Sequence, residues 1–266
     1  MDYRCILRST GVAVLCSLAC FTQALGQVAV KRNVGALRGY LSIHSLAGVY
    51  LGYGEINEYA VGDRVTDHMV YRFRDGSLDD ETTVFTQGKT FQFVSDHHVQ
   101  RGKFFPTQSD ITVEANGKVT MRTSGKDGKV KEDTTQMQVP DLANGMVGTV
   151  VQNIPGDAAE FKLGMVVPAG KPRAIKLDIS PDGERSFHIV RVAEKARIFR
   201  VKPELGGVAG VIAPIIGKQP GDIYLWVLEG EVPTIVRIVG PLAEGTATVS
   251  IELGGTSFPK DSAEKK

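Results

Sequence analysis

The chain has 266 residues, with 31 Lys and Arg against 30 Asp and Glu, and 42% of it is hydrophobic. Charges so nearly balanced, with no long block of one sign, disfavour nucleic acid and anionic membrane surfaces as partners. A chain of this length buries roughly 70% of its unfolded surface, enough for one large core or two coupled halves.

Arg4 and Arg8 precede an uncharged run whose apolar centre is GVAVLCSLACF, followed by Ala24-Leu25-Gly26. That centre is about half of the ~20 residues a membrane span needs, and it leads to small residues of the kind a signal peptidase accepts. Residues 1–26 therefore read as an export signal and the protein as periplasmic; lipid attachment at Cys20 is the alternative. Cys5, Cys16 and Cys20 all lie in this segment, so the processed chain would have no disulfide, thiolate or cysteine metal site.

Residues 27–39 show no period and read as a flexible lead-in. Leu37, Leu41 and His44 share helical spacing, and strand is expected from about Val49 to Tyr59. The run from Arg64 to Arg101 predicts three long antiparallel strands. Met69, Tyr71 and Phe73 share one face, while His68, Arg72 and Arg74 take the other. Asp75-Gly76 supplies a turn. In the third strand simple alternation puts Phe91, Phe93, His97 and Val99 together. ITVEANGKVTMR predicts a hairpin with a two-residue Asn116-Gly117 turn. The polar VKEDTTQMQV should be an edge strand.

A short helix is predicted over about 141–154, capped by Asp141, with Leu142, Met146, Val150 and Ile154 recurring on one face. Gly145 and Gly148 weaken it by about 1 kcal/mol each. The remainder repeats the β pattern, with a Pro181-Asp182-Gly183 turn, Pro203 ending a strand, and a glycine-rich apolar stretch at 205–217. The expected fold is mainly β: a curved antiparallel sheet or open β-barrel of about 11–13 strands with one short helix. It spans 40–258 as a single domain, with a break near 155–170 if it is two halves, and a disordered tail at 259–266.

The stretches GDRVTDHMVYRFRDGSLDDETTVFTQ, SDHHVQRG, VPDLANGMVGTVVQNI and IIGKQPGDIYLWV resemble uncharacterised exported bacterial proteins related to the DUF3108 class, over roughly residues 45–258. That resemblance implies a periplasmic, β-rich protein whose curved sheet is like that of lipoprotein carriers. It implies no activity and supplies no catalytic residues.

Motifs of catalysis are weak. Asp75 to Glu81 places oxygens at alternate positions like the start of a calcium loop, but Asp80 stands where glycine is needed and Thr86 where the bidentate glutamate should be, so a solvated turn is expected. His97 and His98 point to opposite faces of a strand and cannot share one ion without a bulge; His97 reads as a half-buried polar member of the sheet. Ser257-x-x-Lys260 and Ser262-x-x-Lys265 fall in a terminal tail rather than a cleft. Neither metal nor cofactor is expected, and a hydrolase using Glu55, Asp63 and Asp67 has only sequence proximity behind it.

The favoured reading is a non-catalytic binding or carrier protein for an amphiphilic or apolar ligand. Met69, Tyr71, Phe73, Phe91, Phe93 and Trp226 would line its cavity, gated by Val208, Val211, Ile212, Ile215 and Ile216. The alternative is a cell-envelope assembly protein that docks a protein partner.

Overall fold

A computed structural model describes residues 28–124, 130–154, 158, 160–204 and 221–258. Its strands are β1 (Leu37–Ser45), β2 (Tyr50–Val61), β3 (Arg64–Phe73), β4 (Leu78–Gln87), β5 (Phe91–Arg101), β6 (Ser109–Glu114), β7 (Lys118–Ser124), β8 (Val130–Gln136), β9 (Phe161–Ala169), β10 (Lys171–Ile189), β11 (Val192–Glu204), β12 (Ile223–Leu228), β13 (Thr234–Pro241), β14 (Thr248–Leu253) and β15 (Thr256–Ser257). Among the described residues one helix, α1 (Val147–Gln152), lies between β8 and β9.

The strands form one antiparallel sheet of 15, in the order β15-β10-β11-β12-β13-β14-β1-β2-β3-β4-β5-β6-β7-β8, with β9 paired to β10. Most pairings join chain neighbours, as in a meander; the exceptions are β1 with β14 and β10 with β15. The fold is therefore the mainly-β curved sheet that the sequence predicts. Among the described residues its two end strands, β15 and β8, do not pair with each other, so the barrel is open there.

Curvature brings distant strands together. β6 touches β9 and β7 touches β10 across the interior. Val65, Phe85 and Phe91 of one half pack with Leu163, Ile175, Leu177, Phe199 and Val227 of the other, and with Met146, Val150 and Ile154 around α1. A second cluster joins Tyr71 and Phe73 to Ile43, Phe105, Val249 and Ile251. Burying a side chain of this size contributes about 1.5–3 kcal/mol, so these clusters supply the main stabilisation of the fold.

Several local expectations need correction. Leu37 to His44 belongs to a strand, because β1 has hydrogen-bonding partners on both sides, β2 and β14, and tertiary pairing outweighs a weak helical spacing. The lead-in is anchored: Val28, Val30 and Val34 pack on the core, Asn153 Oδ1 accepts from Lys31 N and Arg32 N at 3.1 and 2.9 Å, and Gln87 exchanges two bonds with Val34. The 116–117 connection is a type I turn followed by a left-handed glycine. Gly117 N donates to Glu114 O at 2.9 Å, and Gly117, but not Asn116, has positive φ; that is the three-residue hairpin. Pro181 to Gly183 is a bulge within the 19-residue β10, not a reversal. Pro203 lies inside β11, opposite Leu177.

The helix is confined to six residues. Asp141 has φ 53 and Gly145 φ 64, so the chain before Met146 is not helical, and no side chain caps α1. Met146, Val150 and Ile154 share the central cluster as the spacing predicts. Leu142 instead forms a parallel bridge with Gly164. The polar β8 is an exposed strand at the end of the sheet, as expected.

Candidate functional site

The inward face of β3 reads Val65, Asp67, Met69, Tyr71, Phe73, so two apolar ends flank a polar middle. Register extends that middle sideways. Asp67 lies opposite Glu58 on β2 and Thr83 on β4, Met69 opposite Glu81, and Tyr71 opposite Asp79. On β5, Asp96 meets Thr83, His98 meets Glu81 and Gln100 meets Asp79. Glu58, Asp67, Asp79, Glu81 and Asp96 thus share one sheet face with His98 as their lone imidazole.

Polar contacts gather Asp79 and Glu81 around His98 and hold Asp96 between Thr83 and Asn144, while Asp67 stands apart. His98 Nε2 donates to Asp79 Oδ1 at 2.7 Å, Nδ1 lies 3.7 Å from Glu81 Oε1, and Gln100 Nε2 donates to Asp79 Oδ2 at 2.8 Å. Thr83 Oγ1 donates to Asp96 Oδ1 at 2.9 Å, and Asn144 Nδ2 lies 3.5 Å from Asp96 Oδ2. Asp67 is 7% exposed, and its Oδ1 has no hydrogen-bond partner among the described residues. Burying a carboxylate with an oxygen left unpaired favours its protonated form.

Proton affinities follow. Burial, aided by the nearby Asp67 charge, pushes Glu58 up to about 8. Burial pushes Asp67 up to about 7, against the pull of His68. Glu81 rises to about 8, mainly by burial, opposed by His98. Asp96 is raised for the same reason, with His98, Thr83 and Asn144 opposing. Burial works against a charge on His98, but Glu81 and Asp79 outweigh it and push the imidazole up to about 10. At neutral pH His98 is a cation held by Asp79, while Glu58 and Glu81 are mostly protonated. Among the described residues no group of three or more His, Cys, Asp or Glu is arranged to hold a metal ion.

Beside this array the sheet opens. A cleft of about 330 Å³ lies between β5, the β6–β7 turn and the segment from Met137 to Leu142; Phe91, Phe93, Met137, Val139 and Leu142 supply apolar walls, and Gln92, Gln138 and Asp141 polar ones. The far wall is pinned two residues beyond Leu142. Asn144 accepts from Val166 N at 2.8 Å and donates to Val166 O at 2.7 Å. A side chain at Gly145 would overlap Thr83, so the segment crosses the sheet against the acidic array.

The six predicted cavity residues do not converge. Phe91 and Phe93 line the cleft. Met69, Tyr71 and Phe73 belong to the apolar cluster at the other end of β3 and are packed by Phe104 and Phe105. Trp226 points to the opposite sheet face: it pairs with Arg237, whose neighbour Ile238 faces the interior. There Trp226 packs with Phe187, Ile198 and Phe258, under the Arg237 guanidinium. The gate residues Val208, Val211, Ile212, Ile215 and Ile216 lie outside the described residues.

The acidic run and the histidines also differ from expectation. Asp75 does serve the turn, accepting from Ser77 N at 2.9 Å, but Asp79 is 4% exposed and faces inward with Glu81. His97 and His98 do point apart, and His97 bonds the exposed Asp110 at 2.9 Å. His98 is the inward one because Val94 is an extra residue between the Phe85–Phe93 and Val84–Ser95 pairs; a bulge reverses the alternation beyond it. Glu55 faces outward near Arg38, opposite Val70, so Glu55, Asp63 and Asp67 form no site.

The fold and cleft define a mainly-β protein with an open, curved sheet around a part-polar interior. The chain is similar to a solved structure described as a β-barrel-like protein of domain of unknown function DUF1849 from Brucella abortus, with TM-score 0.44 and 9% identity, over 85% of this chain and 100% of that one. No protein-family model and no curated protein matches the chain. No helix among the described residues is long and apolar enough to cross a membrane.

Proposed function

We propose that this is a non-catalytic binding protein, exported to the periplasm, whose cleft takes the apolar segment of an amphiphile. The observation that carries the reading is the open cleft of about 330 Å³, in which Phe93, Met137, Val139 and Leu142 form an apolar strip within a mainly polar lining. A volume at the small end of ligand sites suits one alkyl or aromatic segment rather than a whole lipid. Gln92, Gln138 and Asp141 give the polar part of such a ligand hydrogen-bonding partners. Export is supported by the arginines, apolar run and small residues at 1–26.

Calorimetric titration with dodecanoate and with an uncharged dodecyl glycoside tests this. Binding of both, lost on Leu142→Asp and kept on Leu46→Asp at an exposed position, is expected. Absence of binding to either ligand, or binding indifferent to Leu142→Asp, overturns the proposal. Strand addition at the β8 edge is the lesser reading, because Lys131, Glu132 and Asp133 place three consecutive charges along it, and charged side chains on an edge strand discourage pairing.

A further inference from the structure

A second cavity, of about 300 Å³, lies away from the cleft and shares no lining residue with it; its walls include Lys31, Arg32, Asn153, Arg197, Glu229 and Gly230. Three of these side chains are cations and one is an anion. In a protein whose charges otherwise balance, that local excess is the feature to explain.

The cations are placed by the fold. Asn153, 5% exposed, follows α1 directly; its Oδ1 accepts from the backbone of both Lys31 and Arg32, while its Nδ2 donates to Thr149 O at 3.0 Å. One buried amide thus fixes the chain from which two basic side chains extend. Arg32 Nη2 comes only within 3.5 Å of Gly230 O, and neither Lys31 nor Arg32 has an acidic partner among the described residues. Arg197 sits deeper. Its guanidinium lies over the Phe199 ring at 4.9 Å, its Nη1 is 3.1 Å from the exposed Glu229, and its buried Nε has no acceptor among the described residues. An arginine fork held on one side with a vacant donor on the other is the arrangement that oxyanions complete, and a buried donor left unmade is costly enough to favour an acceptor.

We propose that this cavity is an oxyanion site, taking a phosphate-type group between Arg197 at its base and Lys31 and Arg32 at its mouth. An oxygen of the anion gives Nε its missing acceptor once the guanidinium turns toward it, and the two mouth cations balance the remaining charge. The inference stands apart from the amphiphile reading, since it uses different residues and a different ligand group.

The test is a phosphorus NMR titration of the full chain with inorganic phosphate and, in parallel, with dodecyl phosphate, for wild type, Arg32→Gln, Arg197→Gln and Arg197→Lys. Arg72→Gln, on the outer face of β3, is the control. Saturable phosphate binding is expected, weakened about tenfold or more by Arg32→Gln and Arg197→Gln, partly restored in Arg197→Lys, and unchanged in Arg72→Gln. Tighter binding of dodecyl phosphate than of inorganic phosphate assigns the anion to an amphiphile headgroup; equal binding assigns it to the free ion. Should Arg197→Gln fail to fold, Arg32→Gln and Arg197→Lys still decide. No saturable phosphate binding in the wild type, or binding that survives either Arg32→Gln or a folded Arg197→Gln, overturns the proposal.

Discussion

Replacing Asp67 with asparagine removes an interior charge while keeping the side-chain shape. Burial raises the proton affinity of Asp67 from an ordinary 3.8 to about 7, so the folded chain holds this proton where the unfolded chain has released it. Stability then falls as pH rises across that window and is lowest, for this group, above the folded value. A rise of that size corresponds to about 4 kcal/mol between the protonated and ionised forms. The unpartnered Oδ1 shows that no hydrogen bond of that atom is lost in the exchange, and removing the charge also relieves Glu58, which Asp67 raises. Asp67→Asn should therefore stabilise by about 2–4 kcal/mol near pH 8, by about 1–2 near pH 5, and by almost nothing near pH 3.5. Urea unfolding of wild type and variant at the three pH values measures this. A difference that does not grow with pH, or a variant destabilised near pH 8, refutes the account of the interior.

The array as a whole should make thermal stability greatest in mild acid and lower it from about pH 5 to 9. Glu58 and Glu81, both raised to about 8, lose their contribution as pH rises toward that value, and His98, raised to about 10, loses its own from the unfolded value upward; a melting temperature flat across that range would contradict this. Asn144→Ala strips partners from Val166 N and O and from Asp96, and should cost about 3 kcal/mol while weakening dodecanoate binding, because the cleft wall loses its pin. Gly145→Ala should cost about 2–4 kcal/mol by denaturant unfolding, since φ 64 disfavours a side chain and Thr83 occupies its place. Val190→Asn should raise stability by about 1 kcal/mol: Val190 is 76% exposed at φ 57, a conformation asparagine tolerates better than a β-branched residue.

What was legible in the sequence depended on period and turn chemistry. The alternation of Met69, Tyr71 and Phe73 and the Gly76 turn sufficed for β3 and β4, and the β5 strand was visible, but its extra residue at Val94 was not. That bulge decides that His98, not His97, faces inward. The acidic interior does have a signal in the sequence. Asp79, Glu81, Thr83 and Phe85 alternate on one strand, and pairing through a short turn puts Asp79 opposite Tyr71; reading the acids as a solvated turn hides that they continue into the strand. Trp226 could not be assigned, because Leu225, Trp226 and Val227 are all buried and a strand covered on both faces has no period to read. The cleft joins residues 91–93, the β6–β7 turn and residues 137–142, a juxtaposition that no single stretch displays.

The central claim, that Phe93, Met137, Val139 and Leu142 receive an alkyl segment, is tested most directly by photolabelling the full chain with a diazirine-bearing dodecanoate and mapping the adducts by peptide mass spectrometry. Adducts concentrated on residues 91–93 and 137–142, and displaced by unlabelled dodecanoate, are the predicted result. Adducts confined to the exposed tyrosines of the outer face, Tyr40, Tyr53 and Tyr59, or labelling that unlabelled ligand does not compete, would contradict it.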